Sequence, residues 1–467
     1  MTTEYATVII GAGPAGLSAA HTLCRYGAEV LLLDENRCIG GQVLRRLPSG
    51  WIGGSSYFRF GVKRAGLDLA RQVSGSAAKI LRNVTVMDLR RNGEITIEDQ
   101  NNRLSRFRAE LFLLAGGGRE KFFPFNGWTL PGVISTGAAQ ILMKSAAVLP
   151  GENVLVAGSG ALPLVVAGEI IKNGGRLAAF LDINPMSSSA ELLRGGFPQI
   201  PRYAEGAMHL TRIALSRSPV FYRRRVIEAA GNRKLENVIT AKVDDQGRPI
   251  PGSQKTFAAD ALAVGRGFVP NIELPQLIGC GLKYSPDRGG WYVKVDSQLE
   301  TSLPGIFAAG EVTGIGGVKK ALVEGRLAGL AMLYRLGRID QNRFQSLAEP
   351  LRRQREQEAA FSVMINKLNR VQPGEYDTLD DKTVICRCED VTYGDICRQI
   401  ARGLVTPQEL KKATRLGMGN CQSRTCGPIL YEILNAFEVN DASHGPLSVR
   451  MPVKPVSLES LSRSASR

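Results

Sequence analysis

The stretch that decides the fold is Val8-Ile9-Ile10-Gly11-Ala12-Gly13-Pro14-Ala15-Gly16, followed by a helical run from Leu17 to Tyr26 and a second apolar strand, Val30 to Leu33, ending in Asp34 and Glu35. A strand, a G-x-G-x-x-G turn, a helix, a strand and a terminal acid, in that order, make a dinucleotide-binding βαβ unit. Gly11 supplies the tight turn, Gly13 lets the backbone approach a pyrophosphate, and Gly16 lets helix and strand pack closely. Pro14 and Ala15 open the helix, whose first amides and partial positive charge face the phosphates. Asp34 lies 21 residues beyond Gly13, where a carboxylate can take the ribose hydroxyl pair.

Further along the chain the pattern repeats. Val154-Leu155-Val156-Ala157 leads into Gly158-Ser159-Gly160-Ala161-Leu162-Pro163, and the next strand, Leu177 to Leu181, ends in Asp182. Pro163 replaces the third glycine; the first turn of a helix tolerates it, but close packing of a cofactor is less well provided for. No Arg follows Asp182 closely, which favours NAD over NADP. At Gly158, Gly160 and Asp182, bound NAD, another adenine nucleotide and no cofactor at all stay open.

Three later segments favour FAD at the first site. Gly40-Gly41-Gln42 follows the acidic strand end, as in flavoproteins with two dinucleotide domains. Leu113-Leu114-Ala115-Gly116-Gly117-Gly118 is a buried strand followed by a glycine crossing. Thr301 to Glu311, ending Ala308-Ala309-Gly310-Glu311, resembles the late flavin motif, which usually ends in Gly-Asp. The expected FAD contacts are therefore Gly11, Gly13, Pro14, Ala15, Gly16, Asp34, Glu35, Gly41, Gln42, Ala115, Gly116, Gly117, Gly310 and Glu311.

At about 150 residues per domain, the 467 residues suggest about three domains, and the patterning is α/β. The expected architecture is a two-dinucleotide-binding-domain flavoprotein: a Rossmann-like FAD domain (1–150 and 259–335), an inserted NAD-like domain (151–258), a helical linker (336–375), a small helical [2Fe–2S] domain (376–440) and an extended tail (441–467). The net charge of +16 is spread thinly, and its densest run, Arg223-Arg224-Arg225, reads as a strand with Arg on its wet side; nucleic acid is not an expected partner. His209 reads as a surface residue. No charged-then-apolar leader opens the chain and no apolar run approaches the ~20 residues of a membrane helix, so a cytoplasmic location without membrane insertion is expected.

Five of the eight Cys follow position 385. Cys386-Arg387-Cys388 and Cys421 to Cys426 form C-x-C, 32 residues, C-x4-C. Four thiolates can hold one [2Fe–2S] cluster; zinc, which more often uses C-x-x-C pairs, is the alternative. Between the pairs, Thr392 to Arg402 and Thr406 to Thr414 read as short helices, with Thr406 as N-cap before Pro407. Cys38 stands alone before Gly40, so the Cys pair of a disulfide reductase is missing there.

Together these residues resemble the large FAD-containing A subunit of opine oxidases, the B subunit of hydrogen cyanide synthase and the α subunit of D-hydroxyproline dehydrogenases, over almost the whole chain. Gly117 to Glu120 with Pro124 to Val133, Gly265 to Asn271, Ala308 to Gly317, the Cys unit and Met451 to Val456 carry the likeness. Departures are Gly116, usually Thr, and the segment from Ser55 to Ala70. The resemblance implies a heteromeric, dye-linked amino-acid or opine dehydrogenase. A smaller FAD-containing chain, with a third small one in some members, would oxidise a C–N bond. A chain like this one would accept or relay the electrons through FAD and [2Fe–2S], with peripheral membrane association through partners. No catalytic acid, base or nucleophile stands out. A self-sufficient NAD(P)H-dependent reductase, and a non-enzymatic docking or sensing flavoprotein presenting Arg352, Arg353 and Arg355, are the competing readings.

Overall fold

The structure is a computed structural model that describes residues 3–45, 62–191, 196, 199–439 and 441–465. Part of the atypical segment, residues 55–61, lies outside them.

Strand Thr3–Ile10 sits in the middle of the first sheet. It pairs in parallel with Val30–Asp34 on one side and with Leu104–Leu114 on the other; Lys79–Arg82 and Ile306–Ala308 extend the parallel part, and Glu94–Glu98 and Thr85–Leu89 form an antiparallel wing. The apolar run Val30 to Asp34 is buried throughout, as a strand covered on both faces requires. The register sets Ile10 against both Leu33 and Leu114, and Ala308 against Leu114. Gly11, Asp34, Ala115 and Ala309 therefore leave the sheet along one carboxyl edge, where open α/β sheets bind their ligands.

Helix Pro14–Arg25 covers one face, with helix Gly317–Arg335 packed against it. Their backbones nearly touch: a Cβ on Gly325 would lie 2.0 Å from the Ala15 carbonyl oxygen. Linker helix Gln341–Lys367 packs behind the second of these.

The second sheet is all parallel, in the order Val220–Tyr222, Arg176–Asp182, Asn153–Gly158, Ala261–Gly265, Val133–Ser135. This corrects the expected limits of 151–258. The strands at 133–135 and 261–265 belong to this sheet and not to the first, because the glycine turn closes on the second of them: a Cβ on Gly158 would lie 1.9 Å from the Gly265 carbonyl oxygen. The short antiparallel pair Gly118–Glu120 and Phe268–Pro270 carries the chain between the two units.

Arg224 and Arg225 are buried, not on a wet face. Arg224 donates to Thr240 and to the Ser253 carbonyl, and Arg225 lies over Phe123 and donates to Thr378; their charges are spent inside, so they make no basic patch. His209 is also buried, against Gly168, because it faces inward from the helix Ile200–Leu215.

The Cys-bearing unit has its own apolar core, built on Ile385, Ile396, Leu410, Ile429, Ile433 and Leu434. Capping boxes at Thr392/Asp395 and Thr406/Glu409 open helices Tyr393–Ala401 and Pro407–Thr414. The tail wraps as a strap. Gln422 and Arg424 hold the carbonyls of Pro452 and Val453, the Val453 amide donates to the Met87 carbonyl, and the segment Leu458–Ala465, expected to be extended, is a helix. Among the described residues no helix is long and apolar enough to cross a membrane.

The near-contact of the two helices predicts that Gly325→Val is destabilised by about 1–3 kcal/mol through overpacking. Gly206→Ala, in a helix with open space around it, should gain up to about 1 kcal/mol. Thermal or urea unfolding of both variants checks this.

Candidate cofactor sites

The first glycine turn is built by backbone packing. A Cβ on Gly11 would lie 2.3 Å from the Ala115 carbonyl oxygen, and one on Gly16 would lie 1.9 Å from that of Gly11. Gly13 differs: its Cβ position meets only Gly41 Cα, at 3.9 Å, so this face of the turn is open. Gly41 borders that face, its own Cβ position 2.9 Å from Gly13 Cα, and the Gly40 amide donates to the Ala12 carbonyl. Asp34 accepts from the Ala12 amide at 2.6 Å and from the Asn36 amide at 2.8 Å, so its carboxylate is aimed at the turn. Pro14 and Ala15 occupy the first positions of the helix.

The late motif reaches the same place. A Cβ on Gly310 would lie 3.0 Å from Ala15 Cβ. Glu311 accepts from the amides of Gly316 and Gly317 with both carboxylate oxygens, holding the turn into helix Gly317–Arg335. Gly116 and Gly117 continue from the buried Ala115; Gly117 has positive φ and an open Cβ position. Gln42 is exposed, and the exposed Glu35 pairs with Lys454 of the tail. The glycine-lined cradle therefore joins Gly11, Gly13, Gly16, Gly41, Ala115 to Gly117 and Gly310 at one strand edge, with room where a pyrophosphate would lie.

Beneath the late motif lies a charge network that no sequence motif marks. The buried Lys320 ammonium donates to the carbonyls of Gly310 and Gly314, to Thr313 and to Glu324 at 3.1 Å. Glu324, fully buried, also accepts from the Gly310 amide and from Arg355 of the linker helix. Burial pushes the Glu324 carboxyl up, but Lys320 and Arg355 outweigh it and hold the group below the ordinary carboxylate range. Arg355 is thus a structural anchor rather than a free basic face. The one signal in the sequence is Lys320 and Glu324 spaced i, i+4 in the helix Gly317–Arg335.

The second turn is differently furnished. Asn369, just past the linker helix, lies on it: Ser159 Oγ donates to Asn369 Oδ1 at 2.9 Å, and a Cβ on Gly160 would lie 2.9 Å from that same oxygen. Asp182 accepts from the amide and side chain of Asn184, whose Nδ2 also donates to the Leu368 carbonyl. Leu368 and Asn369 therefore span from the glycine turn toward Asp182, over the ground a nucleotide would need.

The four expected cluster thiols come together in the small unit. Cys386 and Cys426 are buried and hydrogen-bonded to each other; Cys421 and the exposed Cys388 form a second contact pair. The hydrogen bond from Cys426 lowers the Cys386 thiol to about 5, aided by the amides of Gly417, Glu389 and Cys388, and Cys426 is raised in turn. Among the described residues no three Cys, His, Asp or Glu side chains converge as a single-ion site. Four thiols with amide donors around them can hold one binuclear iron–sulfur cluster.

The cradle and the cluster loop are joined. Asn271 donates to the Gly116 carbonyl at 2.8 Å and accepts from Arg119 at 2.6 Å; Arg119 pairs with Glu273 and donates to the Arg424 carbonyl within the Cys421–Cys426 loop. The sequence marks these segments, but not the link between them.

Compared with known proteins, residues 5–326 match the pyridine nucleotide-disulphide oxidoreductase family model, and residues 384–436 match the BFD-like [2Fe-2S] binding domain. The chain is 30% identical over 462 residues to the A subunit of opine oxidase from Rhizobium meliloti, covering 97% of each chain. It is 32% identical over 469 residues to hydrogen cyanide synthase subunit HcnB of Pseudomonas aeruginosa, covering 96% of each. L-proline dehydrogenase from P. horikoshii shares the fold, with a TM-score of 0.69 at 20% identity over 98% of this chain and 80% of that one. The cofactors are accordingly FAD and a [2Fe–2S] cluster.

The two sites should fail independently. Gly13→Val is expected to yield protein that keeps about two irons per chain but has lost its flavin absorbance. Cys421→Ser should keep the flavin and lose the iron. Absorption spectra and iron analysis of the purified variants check both.

Proposed function

The chain belongs to the pyridine nucleotide-disulphide oxidoreductase family, and from that premise we propose that it is the FAD- and [2Fe–2S]-bearing subunit of a heteromeric dehydrogenase that oxidises a C–N bond of an amino acid, imino acid or opine. The observation that carries this reading is Asn369 on the second glycine turn. In a reductase of this architecture, a nicotinamide nucleotide delivers its electrons through that turn. With the turn filled by the chain itself, the electrons have to come from elsewhere. Disulfide chemistry is equally unsupported, since Cys38 stands alone and exposed near the cradle.

The relatives named above are subunits by name, which supports a partner that does the substrate chemistry. When bound, the flavin exchanges electron pairs and the cluster single electrons. The residues of this chain do the positioning. Gly13 and the helix at Pro14 receive the pyrophosphate, and Asp34 orients the turn. Lys320, with Glu324 and Arg355, fixes the late motif, and Arg119 holds the cluster loop against the Gly116 crossing. The partner we propose is a smaller FAD-containing subunit, with a third small subunit possible in the assembly. A cytoplasmic location, with peripheral membrane attachment through the partners, completes the reading.

Co-expression with a candidate smaller flavoprotein partner tests this. The expected result is a complex in which an amino acid or opine bleaches the flavin of this chain anaerobically, while the isolated chain is inert to the same compounds. Full amine oxidation by the isolated chain would contradict the proposal.

A further inference from the structure

One cavity is used by nothing described so far. It has a volume of about 290 Å³ and lies where the Phe268–Pro270 strand, the hairpin Leu282–Ser285/Gly290–Val293, the end of the linker and the helix Cys426–Ala436 meet. Ser423, Gly427 and Pro428 form one wall, so the cavity abuts the Cys421–Cys426 loop. Tyr284, Trp291 and Tyr431 form another, with ring centroids 5.4 to 5.9 Å apart. Ile272, Leu447 and Val449 add aliphatic surface. An apolar, aromatic pocket with a few polar groups is what a small-molecule site looks like.

The rim shows which class of molecule fits. Its cations are already paired: Arg119 with Glu273 at 2.8 Å, Lys121 with Glu432 at 2.9 Å and Arg370 with Asp287 at 2.6 Å. The first two pairs are largely buried, and an anion or a zwitterion would have to break one of them to reach the aromatic wall, which is costly. Burial pushes the Tyr284 phenol up to about 12, so that wall stays uncharged at neutral pH. The indole Nε1 of Trp291 donates to the Tyr431 hydroxyl, which joins the two rings into one uncharged wall.

We infer that this cavity is an acceptor site for a quinone, whose flat, neutral, apolar ring stacks against Tyr284, Trp291 and Tyr431 beside the cluster loop. The inference rests on the electron-relay reading above and adds where the electrons leave. The quinone is the oxidant. An electron pair from the reduced chain and one proton from solvent on each oxygen turn both ring carbonyls into hydroxyls.

The test uses the full chain, loaded with both cofactors. Binding of a short-tailed benzoquinone to the oxidised protein is measured by equilibrium dialysis. Re-oxidation of dithionite-reduced protein is followed by anaerobic stopped flow, with the quinone and separately with ferricyanide, an oxidant that needs no pocket. Wild type should bind about one quinone per chain and show saturable re-oxidation. Val449→Trp, which fills the cavity, should lose both. Trp291→Ala, which removes one ring of the stacking wall, should weaken binding about tenfold. Both variants should keep their iron, flavin and ferricyanide rates. Absent or non-saturable quinone binding in wild type, or unchanged quinone binding and rates in variants that keep their cofactors, would overturn the inference; so would the amine substrate binding there instead of the quinone. Those outcomes leave the relay reading standing, since that reading fails only if partner and substrate do not reduce this chain.

Discussion

The carboxamide oxygen of Asn369 lies against Gly160 and accepts from Ser159, at the point where a dinucleotide fold would hold a phosphate. The linker helix that delivers it is fixed at its middle and just past its C-terminal end. Arg355 reaches the buried Glu324 beneath the late flavin motif, and Lys121 of the inter-domain crossing donates to the Asn369 carbonyl and to Glu432 of the Cys-bearing unit. One helix thus anchors to the first unit, closes the second and receives the third. Buried ion pairs of this kind are weak arguments for net stability. What they supply here is register, because breaking any one would strand a charge.

The second constraint is backbone proximity at the first turn. Gly11, Gly16 and Gly325 each stand within about 2 Å of a carbonyl oxygen at their Cβ positions. No side chain fits there, so the cradle is made of main chain and its amides are free to face a ligand. The open Cβ position at Gly13 is the exception, and it leaves room on that face of the turn. The second turn keeps the first two glycines and the acid of the first, and has lost the space.

Much of this is legible in the sequence. The two glycine turns, the late motif, the helices at Gly317–Arg335 and Gln341–Lys367 and the four clustered thiols follow from local signals: strand apolarity, helix period, caps and Cys spacing. What is not legible depends on contacts distant in sequence. Ser159 and Asn369 are 210 positions apart, and Arg119 and Arg424 are 305 apart; nothing local to either marks the pairing. The strands at 133–135 and 261–265 read as part of the wrong unit for the same reason, since sheet membership is decided by partners. Arg224 and Arg225 read as wet because charge is ordinarily exposed; the hydrogen bonds of Arg224 inside the second unit, and the one from Arg225 to Thr378 with its stacking on Phe123, override that prior.

The central claim is that electrons reach this chain without passing through its second nucleotide fold. An anaerobic titration of the oxidised, fully loaded protein with NADH, followed by absorbance, tests it most directly. The account predicts that the flavin and cluster bands stay unchanged with NADH and bleach with dithionite. Rapid bleaching by stoichiometric NADH would contradict it, because the nucleotide could then displace Asn369 and use the turn.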